Sequence, residues 1–386
     1  MSRPPRLRDV AKAAGVSIGT ASNVLNKPES VRPATRHRVY AAMRALGYSG
    51  ARVTFPSAMP SARPDDPEAP LLVAAGYLSI DTVVQLDQLP HRGDRITAQR
   101  ISKHVGGPAA GVAAGAAALG APFPVDVELA TAIGDDDDSR WAVDSLAQRG
   151  VRTRAARPPE AKRLSRCIVM VEPGGHRTRV NEPLNIAAAD ILLAVAQDSA
   201  RRRRHLHVEG FQAAGILEVA SNLRAAGWTL SIHDTGLSAA FLTPKGIRHL
   251  VHSFDTVIMS RRAAAAALNV AAPRTVTLLD AVETLAREVP GCELVMTLDA
   301  EGAVACAPGL PTPVSAPALP VEIVDGTGAG DCFAGVYLAQ RLHDVPVAET
   351  LRRACIAGSL AMTAEGAQGR TAAAVEIDGI LHAAFA

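Results

Sequence analysis

Of the 386 residues only five are cysteine, scattered at Cys167, Cys292, Cys306, Cys332 and Cys355. The number is odd and no C-x-x-C pair occurs. That excludes a disulfide frame and a cysteine-based structural zinc, and it fits a reducing compartment. Also missing is any apolar run of about 18 residues, the length that marks a membrane-spanning helix. The basic N-terminus leads into no apolar core of the secretory kind. The expectation is a soluble, cytoplasmic protein with no membrane partner. What is present is apolar content of 48%, enough for large cores in a chain of two-domain length.

Acidic residues are nearly absent from one end. Residues 1–64 hold eleven Arg or Lys but only Asp9 and Glu29, a net of +9 within a chain whose total is +2. A basic head on an acidic body points to a polyanionic partner for the head alone. In "RLRDVAKAAGV", Leu7, Val10, Ala11 and Ala14 fall at helical spacing, and Gly15 is placed to close the helix. Ser17 then opens a second helix whose faces are marked by Thr20, Ala21, Val24 and Leu25. A third is predicted from about Pro33 to Leu46, with Val39, Ala42, Met43 and Leu46 facing inward. Two short helices joined by a tight glycine turn make a helix-turn-helix, whose second helix enters the major groove.

The stretch from Arg6 to Tyr48, "LRDVAKAAGVSIGTASNVLNKPESVRPATRHRVYAAMRALGY" with Arg6 before it, resembles the headpiece of lactose-repressor (LacI) family regulators. The resemblance implies that Ser17, Ile18 and Gly19 begin the recognition helix and approach base edges, with Ser22 and Asn23 near the DNA. Many relatives carry arginine where this chain has Asn23, which implies a different base preference. Arg6, Arg36 and Arg38 are candidate phosphate contacts, which position a protein without reading sequence. The competing reading is a small bundle that binds protein. Relatives usually continue into a hinge helix, but here Pro56, Pro60, Pro64, Pro67 and Pro70 follow. Prolines at that density predict an extended, semi-rigid spacer instead.

From Leu71 the texture changes. Strand-like runs ("LLVAAGYLSID", "CIVMVE", "HLHVEG", "TLSIHD", "TVIMS", "ELVMTLD") alternate with alanine-rich helical stretches. Alternation of this kind predicts a three-layer α/β domain with a largely parallel sheet, and ligands beyond the carboxyl ends of its strands. The run "TVVQLDQLPHRGDRITA" alternates like exposed strands. Near the C-terminus "VDGTGAGDCFAG" sets Gly326, Gly328 and Gly330 before a helix starting near Asp331. Successive N–H groups at a helix start form an anion site. A carboxylate at its rim, Asp331, suits a base that takes a proton from an attacking hydroxyl. Alone, such a junction is as often structural.

Residues 71–370 resemble the ribokinase (PfkB) family of carbohydrate and nucleoside kinases. The likeness rests on "VDGTGAGDCFAG", on "GGPAAGVAAGAAALG" followed by "AIGDDDD", and on "AAGYLSIDTVVQLDQLPHRGD" as opening strand and lid hairpin. It implies Asp331 as catalytic base, Gly328, Ala329 and Gly330 as anion hole, and Asp81 as a ligand for sugar hydroxyls. Gly106 and Gly107 would add backbone contacts, Thr297 and Gly302 would lie at the nucleotide, and ATP with Mg²⁺ would be the cofactors of an active enzyme. No resident metal site is expected. The departures are specific: Gly111 stands where relatives have Asn, and Ser260 and Ala263 replace the Asn and Glu of an Asn-x-x-Glu motif that orders magnesium. Asp299 replaces a glycine that approaches the nucleotide.

Other conspicuous runs have plainer readings. Asp135–Asp138 reads as an acidic loop after a strand, Arg201–Arg204 as cations ending a helix, and Cys332 as a core residue. His205 and His207 point the same way from one strand, with no evident metal partner. The expected fold is a small all-α helix-turn-helix domain (1–53), a proline-rich linker (54–69) and a three-layer α/β ribokinase-like domain with a small β lid (70–386). The expected function is a transcription regulator that binds a double-stranded DNA operator as a homodimer, paired through lid strands near 83–103 and 167–181. A sugar, nucleoside or their phosphate would be its effector. The alternatives are an active ATP-dependent carbohydrate kinase with an accessory DNA-binding module and a pure dimerisation scaffold. Replacing Arg36 and Arg38 by alanine is expected to weaken DNA binding and to flatten the dependence of log K on log salt by about one to two units. An unchanged slope in a salt titration would remove the phosphate-contact assignment.

Overall fold

The computed structural model describes residues 6–26, 31–32, 35, 38–39, 42, 68–156, 163–173, 177–183, 191, 202–270 and 275–385. Arg36, Met43, Leu46 and linker residues 54–67 lie outside that set. The chain divides into two compact units, Met1–Ser57 and Ala58–Ala386.

In the first unit, α1 (Leu7–Ala14) starts where Arg6 N–H donates to Asp9 Oδ2 at 2.8 Å, and it ends on Gly15 in the left-handed region at φ 63°. Helix α2 (Ile18–Asn26) is capped by Ser17, whose Oγ accepts from Thr20 N–H at 3.0 Å. Such a cap satisfies one of the donors that every helix start leaves open. Val10, Ala11, Ala14, Ala21, Val24, Val39 and Ala42 are buried together. Thr35, Arg38, Val39 and Ala42 are helical; the rest of the expected third helix lies outside the described residues.

The second unit runs β1 (Leu71–Ala75), β2 (Ser79–Gln85), β3 (Arg100–Gly106), α3 (Pro108–Leu119), β4 (Asp126–Ala132), α4 (Asp137–Ala147), β5 (Val151–Ala156), β6 (Ser165–Val171) and β7 (Arg177–Asn181). It continues with β8 (Arg204–Glu209), α5 (Ala213–Leu217), α6 (Ala220–Ala225), β9 (Trp228–His233), α7 (Pro244–Ser253), β10 (Thr256–Ser260), α8 (Arg261–Ala267), α9 (Thr275–Glu288) and β11 (Glu293–Thr297). The last elements are β12 (Ala303–Cys306), β13 (Val314–Ala316), α10 (Ala329–Arg341), α11 (Val347–Ala361) and α12 (Ala374–Phe385). Nine strands form one sheet in the order β13-β12-β11-β10-β9-β8-β1-β4-β5, parallel from β11 to β5. Strands β1 and β4 are buried at every residue, as parallel strands covered on both faces must be. One face packs on α3, α10 and α11, the other on α7, α8 and α9.

Four strands form a second sheet, β3-β2-β6-β7. Register puts Asp81, His104, Ser102, Cys167, Arg177 and Arg179 on one face and Thr82, Ile101, Ile168 and Val180 on the other. The alternating run after β2 is strand only to Gln85; Leu86–Gln99 forms no strand. There Pro90 supplies no N–H, and a turn closes with Asp94 N–H donating to His91 O at 3.1 Å around Gly93 at φ 90°. Of the arginine run, Arg201 and the helix end expected before it lie outside the described residues. Arg202 bonds Asp126 at 2.7 Å, Arg203 bonds Asp344 at 2.8 Å and Arg204 opens β8, so these cations serve the sheet edge. Asp136 caps α4, with Asp137 and Asp138 in its first turn, where the helix dipole favours carboxylates.

Helices α3 and α10 approach so closely that a Cβ on Gly335 would lie 2.2 Å from Val112 O. Gly335→Ala is expected to cost about 1–3 kcal/mol as the helices are forced apart. Gly330→Ala, with no atom within 4 Å of its added Cβ, is expected to be close to neutral. Urea denaturation of the two variants checks the contrast.

Candidate functional site

On the headpiece, Arg6, Ser17, Ile18, Gly19, Asn23 and Arg38 are exposed and Ser22 is half-buried. Ile18 is 57% exposed, an apolar side chain at the start of α2 that the headpiece core does not use. An added Cβ on Gly19 would meet only Ser17 Oγ, at 3.8 Å, so packing gives no reason for glycine there.

In the body, the site is built where strands β1, β8, β9 and β10 end and α3 and α10 begin. Asp81 of β2 is buried and accepts from Ser79 Oγ at 2.7 Å. Gly106 makes room for it: a Cβ there would fall 2.1 Å from the carboxylate. Gly107, at φ 103°, caps α3. One turn into α3, a Cβ on Gly111 would stand 2.8 Å from Asp331 Cβ. The residue that replaces asparagine is thus in contact with Asp331, on the same cleft as Asp81.

Asp331 lies in the first turn of α10, which Gly328 caps at φ 79°, with Ala329 and Gly330 between them. An added Cβ on Gly328 would overlap Ala367 O at 2.0 Å, so the loop 366–369 excludes any larger residue. Asp325 holds the loop: it accepts from Thr327 N–H at 2.8 Å, Thr327 Oγ1–H at 2.6 Å and Gly366 N–H at 2.8 Å. Arg177 reaches in from β7 and donates to Thr327 Oγ1 at 3.0 Å. The first N–H groups of α10 have no partner inside the helix, so the loop presents donors and positive potential to the cleft.

Asp331 keeps 16% of its side chain open to solvent and is enclosed elsewhere. Burial pushes its carboxyl up to about 7, opposed by Arg179 and reinforced by Asp234 and Asp81. Burial also raises Asp81, opposed by the Ser79 hydrogen bond and by Arg179 and His104.

Several groups at this site were not foreseen. Glu209 ends β8, fully buried, and accepts from Tyr77 N–H at 2.9 Å and Ala109 N–H at 3.3 Å. Burial holds its carboxyl well above the usual range. His233 ends β9, with Nε2 at 3.7 Å from Asp331 Oδ1. Asp234 follows and accepts from Ser260 Oγ at 2.5 Å. Each sits at the carboxyl end of a strand, where parallel sheets place ligands; that rule, applied to "HVEG" and "SIHD", would have found Glu209, His233 and Asp234. Arg177 and Arg179 carried no such signal.

The nucleotide candidates are placed less tellingly. Thr297 is half-buried at the end of β11, beside Ser260. Gly302 needs no nucleotide to explain it, because a Cβ there would lie 2.0 Å from Ala316 O. The unexpected Asp299 lies 3.9 Å from Arg261, which also bonds Leu298 O at 3.2 Å. Ser260 caps α8, accepting from Ala263 N–H at 3.3 Å. With its proton given to Asp234 and Ala263 beside it, this corner offers no side chain of the Asn-x-x-Glu type, so it does not fit a protein-ordered magnesium. Among the described residues no three His, Cys, Asp or Glu side chains group as a metal site, and no helix is long and apolar enough to cross a membrane. Cys332 is buried beside Asp331 with its thiol pushed up to about 12 by burial, a core residue and no nucleophile.

The architecture is that of ribokinase-like enzymes. The ribokinase of Cryptococcus neoformans var. grubii serotype A, solved with ADP, superimposes with a TM-score of 0.65 over 81% of this chain and 99% of its own, at 21% identity. Residues 69–373 match the sequence family described as pfkB family carbohydrate kinase, and the chain belongs to that family. An ATP-dependent ribose-1-phosphate kinase of Halopiger xanaduensis is 26% identical over 301 residues, 77% of this chain and 93% of the relative. Residues 6–50 match the lacI family of bacterial regulatory proteins. There the sucrose operon repressor of Escherichia coli is 57% identical over 42 residues, 11% of this chain and 13% of the repressor.

The raised Asp331 carboxyl sets a stability test. A carboxyl whose folded value lies above its unfolded one contributes most below about pH 4 and loses that contribution as pH rises to about 7. Asp331→Asn is therefore expected to gain on the order of 3 kcal/mol over the unsubstituted protein between pH 5 and 8. Thermal melts of ligand-free protein across that range check it.

Proposed function

We propose that this protein is a sequence-specific DNA-binding regulator whose kinase-like body binds a sugar, a nucleoside or one of their phosphates as effector. The observation that carries the body's role is the meeting of Asp331, Gly328, Ala329 and Gly330 with Asp81 across one cleft. In this reading Asp81, with the Gly106 and Gly107 backbone, holds ligand hydroxyls. The N–H groups from Gly328 to Gly330 hold an anion, and Asp331 takes the proton of the hydroxyl facing it. Arg177 and Arg179, on the cleft face of the small sheet, favour a ligand that carries phosphate. The ribose-1-phosphate activity is named for the Halopiger relative; a pentose phosphate is accordingly the first ligand to try.

In the headpiece, Ser17, Ile18, Gly19, Ser22 and Asn23 face base edges while Arg6, Arg36 and Arg38 contact phosphates. Half-sites imply a homodimer, and the exposed Ile101, Ile168 and Val180 on the outer face of the small sheet supply an apolar surface for pairing. The ligand acts by binding one DNA-competent or incompetent arrangement better than the other.

The second reading is an active carbohydrate kinase using ATP and Mg²⁺ with an accessory DNA-binding module. Asp331 and the uninterrupted glycine loop favour it; Ser260, Ala263 and Gly111 stand against it. Turnover of ATP with Mg²⁺ against pentoses, hexoses, nucleosides and pentose phosphates, beside Asp331→Asn, separates the two. Turnover abolished by the substitution makes the body a kinase. A thermal shift with one ligand and no turnover makes it a sensor, and neither response would remove both readings.

A further inference from the structure

Strands β8 and β9 carry a polar stripe beneath α3 and α10 that a core has no need of. Register pairs His205 with Thr229, His207 with Ser231 and Glu209 with His233, all on one face. The contacts run unbroken. Thr229 Oγ1 is 2.8 Å from His205 Nδ1, and His205 Nε2 is 2.6 Å from Ser231 Oγ. Ser231 Oγ is 2.7 Å from His207 Nδ1, and His207 Nε2 is 2.8 Å from His233 Nδ1. The next atom is His233 Nε2, 3.7 Å from Asp331 Oδ1 and without a hydrogen-bond partner among the described residues. Every ring nitrogen and both hydroxyls are thus engaged except the one facing Asp331.

A chain of neutral imidazoles and hydroxyls has two arrangements in which every contact points the same way and Ser231 spends its own proton within the chain, because each ring carries one donor and one acceptor. In the first, Thr229 Oγ1–H donates to Arg204 O at 3.2 Å and each histidine bears its proton on Nδ1. His233 Nε2 is then a bare acceptor and calls for a protonated Asp331. In the second, each histidine bears its proton on Nε2, and His233 aims it at an ionised Asp331 across a 3.7 Å gap that a side-chain rotation has to close for transfer. We propose that Thr229, His205, Ser231, His207 and His233 form a proton relay ending on Asp331, which carries the proton taken by that residue across the sheet to its opposite edge.

The transfer balances as a concerted shift. The proton on Asp331 moves to His233 Nε2 as His233 Nδ1–H passes to His207 Nε2. His207 Nδ1–H passes to Ser231 Oγ, Ser231 Oγ–H to His205 Nε2, and His205 Nδ1–H to Thr229 Oγ1. The original Thr229 proton leaves to water at that half-buried residue. One proton enters, one leaves, and no ring becomes charged at any point. That suits the burial, which holds His205 down to about 3, His233 to about 4 and His207 well below the usual histidine range. The charged groups that bear on the chain are Arg203 at its outer end and, around Asp331, Asp234 after β9, Glu209 of β8, Asp81 of β2 and Arg179 of β7. The relay rests on Asp331 as a proton acceptor, but its test does not depend on turnover.

The test is the tautomer of each histidine, read from two-bond ¹H–¹⁵N spectra of the ¹⁵N-histidine-labelled full-length chain between about pH 5 and pH 9. His205, His207 and His233 are expected to stay neutral and to exchange Nδ1–H for Nε2–H together as Asp331 ionises near pH 7. Asp331→Asn is expected to abolish the exchange, and so is Ser231→Ala, which removes the hydroxyl that takes the His207 Nδ1 proton and hands its own to His205. An imidazolium in this range, His233 exchanging alone, or no exchange would each overturn the relay; the unsubstituted protein suffices for these readings. Exchange without turnover keeps the relay and removes phosphotransfer, whereas turnover lost in Asp331→Asn without exchange keeps the kinase and removes the relay.

Discussion

The contact between α3 and α10 is the constraint from which the site follows. Gly335 lets the two helices approach to a distance that a single methyl would prevent, its added Cβ lying 2.2 Å from Val112 O, and Gly115 keeps them close, its added Cβ lying 3.1 Å from Cys332. Two helix starts are thereby set side by side at the carboxyl edge of the sheet, one led by Gly107 and the other by Gly328. The open N–H groups at the start of α10 face this cleft, whereas at the start of α3 Pro108 has no N–H and those of Ala109 and Ala110 are taken by Glu209 and Tyr77 O. Ordinary leucine-rich packing would separate the helices and carry the start of α10 away from that of α3. The alanine and glycine content of "GGPAAGVAAGAAALG", which gives α3 almost no side-chain bulk, is the sequence form of that requirement.

The cleft so formed gathers more carboxylates than cations. Asp81, Glu209, Asp234 and Asp331 come from four different segments, and among the described residues Arg179 of the small sheet is the arginine that bears on Asp81 and Asp331. Burial of acids without matching positive charge costs stability, which is why the Asp331 and Glu209 carboxyls titrate so high. A structural core would have discarded such a set. The stripe of His205, His207 and His233 belongs to the same excess: it spends sheet interior on polar groups that satisfy one another and stop at Asp331.

Much of the layout was legible from local sequence, because it is local. The α1–Gly15–α2 turn, the buried parallel strands and the glycine loop before α10 are each written in consecutive residues. The resemblance added Asp81, which no local pattern would have paired with Asp331. What escaped were contacts made by register and topology. His207 meets Ser231 and His233 only because β8 and β9 are neighbours in step, and Arg177 meets Thr327 across 150 residues. Arg202 and Arg203 are likewise matched to Asp126 and Asp344, partners that no local pattern names. At Gly302 a glycine is already required by the Ala316 carbonyl, so its presence does not by itself point to a nucleotide.

The hydrogen bond from Arg177 to Thr327 changes what arrival of a ligand means. Without ligand, the guanidinium already has a hydroxyl to donate to and Asp325 at 3.8 Å. In the proposed reading, a phosphate entering the glycine loop would not add contacts to an idle cation; it would trade against partners already in place. Its affinity is a difference between two bonded states, smaller than the count of donors around it implies. Under the proposed reading the same trade would release β7 from Thr327 when the cleft fills, so occupancy would be written into the small sheet as a change of partners.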